Sequence, residues 1–152
     1  MKVLTPSSEL SFPIRRKDAL LHRVLRGGEA YLISESSAVQ FEQRIRSGLT
    51  AASLTEPTPP PFTFEPKRVL VFFSGEVGDA VCVGPALRRR AARNEGPPVV
   101  DFVTANTDRC LFPPGSAVFD YPITVRQAQA YDSWVEFDAR RDAFSDPCEA
   151  FG

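Results

Sequence analysis

A chain of 152 residues has room for one domain, or for one small domain with an extension, and its 43% apolar content is enough to build a core. Lysine and arginine (18) nearly balance aspartate and glutamate (19), for a net charge of −1. That balance argues against a general nucleic-acid surface and leaves room only for a local basic strip.

The three cysteines, Cys82, Cys110 and Cys148, are far apart and form no Cys-x-x-Cys pair, and His22 is the only histidine. A structural zinc site needs about four ligands of the right kind, so none is expected, and neither is a disulfide framework. Buried free thiols in a reducing compartment are the simpler reading. No signal peptide follows Met1, and no run approaches the ~20 apolar residues of a membrane span. Cytoplasmic residence is expected.

In chain order, Met1 to Pro13 is polar and interrupted by two prolines, which predicts an irregular arm. From Asp18 to Arg26 the residues Leu20, Leu21, Val24 and Leu25 share one helical face. Asp18 near the start and Gly27 past the end fit a helix. His22 lies off that face and is expected in solvent. Glu29 to Ser34 predicts a short strand centred on Tyr31, Leu32 and Ile33. Ser37 and Gln40 have capping-box spacing. Ala38, Phe41, Ile45 and Leu49 form the stripe of a second helix, which Gly48 terminates. Residues 1–54 thus read as a helix-strand-helix extension.

Pro57, Pro59, Pro60, Pro61 and Pro66 crowd the segment 55–66. Proline fixes φ and removes backbone donors, so a stiff, extended linker is predicted. A ligand for a proline-reading module is the alternative.

Lys67 opens a second region, 67–152. Val69 to Phe73 is apolar without alternation, as in a strand covered on both faces. A glycine-bearing turn, Ser74-Gly75-Glu76-Val77-Gly78-Asp79, follows, and then a helical pattern that is apolar early and basic late (Arg88, Arg89, Arg90, Arg93). Pro85 must kink that helix or break its first turn. Further strands are predicted at Val99 to Thr104, with Val99, Val100 and Phe102 buried, at Ala117 to Tyr121 and at Trp134 to Phe137. A small helix is predicted over Thr124 to Tyr131. The pattern is α/β with a parallel sheet. Four strands leave an edge to be covered, so a homo-oligomer or a partner chain is expected.

The turn is the candidate site. Strand-to-helix turns present backbone N–H groups and a helix dipole at the carboxyl edge of a sheet. Asp79 has two readings. As an N-cap it bonds free N–H groups of the first turn. As a general base it takes a proton from an attacking hydroxyl. The glycine spacing matches neither the dinucleotide fingerprint nor a P-loop.

Gly78-Asp79 followed by Val83-Gly84-Pro85-Ala86-Leu87-Arg88 resembles the first strand and helix of the heptosyltransferase family, inverting GT-B glycosyltransferases of lipopolysaccharide-core type. Val99 to Thr104, Ala117 to Pro122 and Tyr131-Asp132-Ser133-Trp134-Val135-Glu136-Phe137-Asp138 resemble later strands of the same family. The likeness covers about residues 67–144. It implies an incomplete, Rossmann-like GT-B N-terminal domain with Asp79 as catalytic base and Ser74, Gly75, Glu76, Val77 and Gly78 lining the acceptor side. It also implies a nucleotide-sugar donor, a glycan or lipid-linked acceptor, no metal and no further cofactor. The chain departs from the family pattern at Phe73, where a basic residue is common, and at Glu76, an added acid. The donor site belongs to the family's second domain, for which these residues leave no room, so activity is expected only with that domain supplied. A non-catalytic Rossmann-like module that docks a partner protein is the alternative.

Overall fold

The computed structural model describes residues 1–16, 19–74, 81, 85–86, 89–90, 92–93, 95–105 and 112–138. The chain divides into two compact units, Met1–Pro59 with Tyr121–Gln129, and Pro60–Asp120 with Ala130–Gly152.

The first unit is richer in strands than its sequence suggests. The segment predicted as an irregular arm supplies β1 (Lys2–Pro6) and most of β2 (Leu10–Arg16). Its prolines do not prevent this, because Pro6 is the last residue of β1 and β2 belongs to a two-stranded ribbon. In β2, Leu10, Phe12 and Ile14 alternate with Ser11 and Pro13, the period of a half-buried strand. The predicted first helix is instead β3 (Ala19–Leu25), paired antiparallel with β2 so that Leu10 faces Leu25 and Phe12 faces Arg23. Burial overrides the helical stripe. Leu25 is fully buried, whereas Leu20 and Val24 are exposed. His22 is exposed as anticipated, but it stands on a strand and shares a hydrogen bond with Ser11.

β4 (Tyr31–Ile33) is the predicted strand, and all three of its residues are buried. It pairs antiparallel with β1, which also pairs with β5 (Ala52–Thr55). β9 (Ile123–Thr124) closes the sheet order β5-β1-β4-β9. A capping box formed by Thr124 and Gln127 then starts the short helix α2 (Val125–Ala128).

Helix α1 (Glu35–Arg46) begins earlier than its Ser37–Gln40 spacing predicts, because Ser34 is the N-cap. Ala38 and Phe41 are its buried residues, and Leu49, placed on the same predicted stripe, lies past the helix end and is exposed. The chain turns there at Gly48, whose φ of +77° suits glycine. Phe12 stacks on Phe41 with ring centroids 5.2 Å apart, and Tyr121 meets Phe12 edge-on at 5.8 Å. Leu4, Leu25, Tyr31 and Ile33 complete this core.

The second unit holds a four-stranded, all-parallel sheet in the order β10-β6-β7-β8. β6 (Arg68–Ser74) occupies an interior position, and its five middle residues are buried, as the unbroken apolar run predicts. β7 (Val99–Thr104) and β8 (Val118–Asp120) lie to one side of it, and β10 (Ser133–Asp138) to the other. Val99 is exposed rather than buried, and the buried stretch of β7 runs instead from Asp101 to Thr104. Between β6 and β7, residues 81, 85–86, 89–90 and 92 are helical, Pro85 among them. Phe73, Phe102, Phe112 and Phe137 form the centre of the core, with Phe73 stacked on Phe137 at 5.5 Å.

Candidate active site

Parallel strands bring all their carboxyl ends to one edge of a sheet. Here that edge is marked by Ser74 on β6, Thr104 on β7, Asp120 on β8 and Asp138 on β10. Register places Ser74 opposite Asp138, Phe73 opposite Thr104, and Thr104 opposite Asp120. The chain passes from β6 to β7 on one side and returns later to β10 on the other. In open α/β sheets, the carboxyl edge at such a reversal is where ligands settle.

Of the sequence-predicted site residues, Ser74 is placed by the structure. It ends β6 at this edge and is exposed. Gly75, Glu76, Val77, Gly78 and Asp79 lie outside the described residues, as do Cys82, Cys110 and Cys148. The N-cap and general-base readings of Asp79 therefore both stand as they were drawn from sequence. Among the described residues, no group of three or more His, Cys, Asp or Glu side chains is arranged to hold a metal ion. No helix among them is long and apolar enough to cross a membrane.

A second polar constellation lies nearer the amino-terminal side of the sheet. Asp101, buried within β7, accepts the Tyr131 hydroxyl at 2.5 Å and the Ala117 backbone N–H at 2.7 Å. The Arg68 guanidinium stands 5.0 Å from the centre of the Tyr131 ring. Burial, and then the hydrogen bond and charge of Asp101, push the Tyr131 phenol up to about 12, against a smaller opposite pull from Arg68. Beside it, Asp132 accepts the backbone N–H groups of Lys67 and Arg68, each at 3.0 Å. These groups tie the start of β6 to the start of β10 and the middle of β7 to the entry of β8. Their partners are backbone groups and each other, and they serve the frame rather than the edge. Sequence reasoning missed Asp101. Its signal is a lone carboxylate inside the otherwise uncharged run Val99-Val100-Asp101-Phe102-Val103-Thr104, where a charge needs a partner.

An open hollow of about 620 Å³ is lined by residues of the loop from Phe112 to Val118. It sits where the chain enters β8, at the opposite end of that strand from the carboxyl edge. Ser116 within it already donates to the Val100 carbonyl, and among the described residues no titratable side chain lines it.

Comparison with known proteins returns no matching family model, no matching curated protein and no matching solved structure.

Proposed function

We propose that the parallel unit is the acceptor-side, Rossmann-like half of a GT-B glycosyltransferase of heptosyltransferase type. The observation that supports this reading best is the position of β6. A buried strand inside a parallel sheet ends at Ser74, beside the carboxyl end of β10, and the residues Gly75 to Asp79 follow directly in sequence. The parallel strand order β10-β6-β7-β8 supports a reading that otherwise rests on the sequence resemblance carried by Gly78-Asp79 and Pro85-Ala86-Leu87-Arg88.

In this reading Asp79 accepts the proton of an acceptor hydroxyl as that oxygen attacks the anomeric carbon of a nucleotide sugar. The new C–O bond forms on the face opposite the departing nucleoside diphosphate, so configuration inverts. The residues Ser74 to Gly78 line the acceptor side. The donor is held by a second domain, supplied from residues beyond these 152 or by another chain.

The test is a transfer assay with a nucleotide-activated heptose and a lipopolysaccharide inner-core acceptor, run with and without candidate donor-domain proteins. Asp79→Asn should abolish transfer and leave the melting temperature unchanged, because asparagine caps a helix as well as aspartate does. Transfer that survives the substitution would remove Asp79 from the chemistry. Tight binding of the nucleotide sugar by this chain alone would overturn the division of donor and acceptor between domains.

A further inference from the structure

The segment between Glu56 and Lys67 does more than connect. A tether needs stiffness, and its prolines supply that. It has no need of aromatic rings. Yet Phe62 is 84% exposed and Phe64 93% exposed. They are the exposed phenylalanines among the described residues, in a chain that keeps Phe12, Phe41 and Phe102 at 1% or less. Their rings touch each other edge-on, with centroids 5.1 Å apart. Leaving two such rings in water is unfavourable unless something covers them part of the time.

The backbone around them narrows what that something is. Among the described residues, no backbone hydrogen bond is made by residues 57–66. Three successive prolines, Pro59 to Pro61, favour the extended polyproline conformation, which makes no internal hydrogen bonds and leaves its backbone carbonyls to solvent. Pro57 and Pro60 are half-buried. Pro59, Pro61, Phe62 and Phe64 are exposed. An exposed face of proline and phenylalanine with free acceptors is the pattern that proline-reading grooves take.

Size selects the same partner over a second copy of this chain. Two phenylalanines bury roughly 150–250 Å² each. A stable interface between folded proteins needs about 800 Å² from each side. The patch suits a short segment lying in a groove. Glu65 is the one charged residue between Pro57 and Pro66, so a cationic rim on the groove complements it.

We propose that Pro57 to Phe64, Pro-Thr-Pro-Pro-Pro-Phe-Thr-Phe, is a recognition segment for a protein domain that reads proline-rich chains in an aromatic-lined groove. This inference is independent of the glycosyltransferase reading.

The experiment titrates the full chain, labelled with ¹⁵N, against a panel of purified SH3, WW and EVH1 domains. At least one should bind with a Kd on the order of 100 µM, the affinity of a small, weak contact. Its shifts should be confined to residues 56–67. Phe62→Ala with Phe64→Ala should weaken that binding at least about tenfold. Pro60→Gly with Pro61→Gly should weaken it by restoring chain entropy. Neither pair should move the melting temperature. Three results would overturn the proposal: no binding to any domain in the panel, binding that the substitutions leave intact, or a large fall in melting temperature on removing the rings.

Discussion

The Tyr131 hydroxyl donates to the Asp101 carboxylate at 2.5 Å, joining the entry to β10 to the buried middle of β7. Asp101 stands opposite Leu70 of β6, and Tyr131 precedes β10 on the other side of β6, so together they flank the strand on which the candidate site depends. Their consequence for stability is directional in pH. The folded phenol titrates near 12 against an ordinary value of 10.0, so the folded state holds this proton more tightly than the unfolded state does. The stabilisation is fully present below pH 10 and fades as pH rises toward 12. Urea unfolding of the native chain and of Tyr131→Phe should therefore differ most at neutral pH, by about 1–2 kcal/mol. The two curves should converge through the alkaline window. A constant difference across that window would deny the linkage.

Asp132 gives a second prediction. One of its carboxylate oxygens, Oδ2, accepts both the Lys67 and the Arg68 amide, while its own N–H donates to the Arg68 carbonyl. An asparagine that places its carbonyl oxygen there keeps both acceptances at lower strength. Alanine keeps neither. The expected order of stability is native, then Asp132→Asn, then Asp132→Ala, with the last costing about 1–3 kcal/mol. Amide exchange at Lys67 and Arg68 should accelerate in the same order.

The helix cap of the first unit separates sequence reasoning from structure sharply enough to test. Ser34 accepts the Ser37 N–H at 3.3 Å, and its own N–H donates to the Tyr121 hydroxyl at 2.8 Å. That hydroxyl donates onward to Ser34 Oγ or Ser37 Oγ, each 3.2 Å away. Ser34→Ala should cost about 1–2 kcal/mol. Ser37→Ala should cost less, because it removes one of two acceptors for Tyr121 and no cap. Equal losses, read by thermal unfolding, would return the cap to Ser37.

How much of this was legible depends on how local its cause is. β6 announces itself, because five buried residues in a row between charged or polar ends admit one reading. Gly48 ends α1 as predicted, since a left-handed turn needs glycine wherever it occurs. The Ser34 cap is settled in part by Tyr121, which is far away in sequence, and no window around Ser37 contains that information. The Asp101–Tyr131 bond fails for the same reason. β9 belongs to the first unit through the pairing of Ile123 with Leu32, another long-range cause. For the candidate site, Ser74 ends β6 at the carboxyl edge, while Gly75 to Asp79 lie outside the described residues and their reading rests on sequence alone.

β3 shows what happens when a pattern fits two periods. Leu20, Leu21, Val24 and Leu25 align on a helix, but the neighbouring Leu10, Phe12 and Ile14 alternate, and pairing with them makes the segment a strand. The two structures distribute energy differently over the same four residues. A helical stripe would bury all four side by side, so each truncation would be costly. In the strand, Leu25 is fully buried while Leu20 and Val24 are 57% and 59% exposed. Leu25→Ala should therefore cost about 2–5 kcal/mol. Leu20→Ala and Val24→Ala should each stay within about 0.5 kcal/mol of the native chain. Val24→Thr should be close to neutral, because threonine keeps the β-branching that strands favour. Chemical unfolding of the four variants distinguishes the alternatives. Comparable losses at Leu20, Val24 and Leu25 would restore the helix and remove the ribbon that β2 and β3 form.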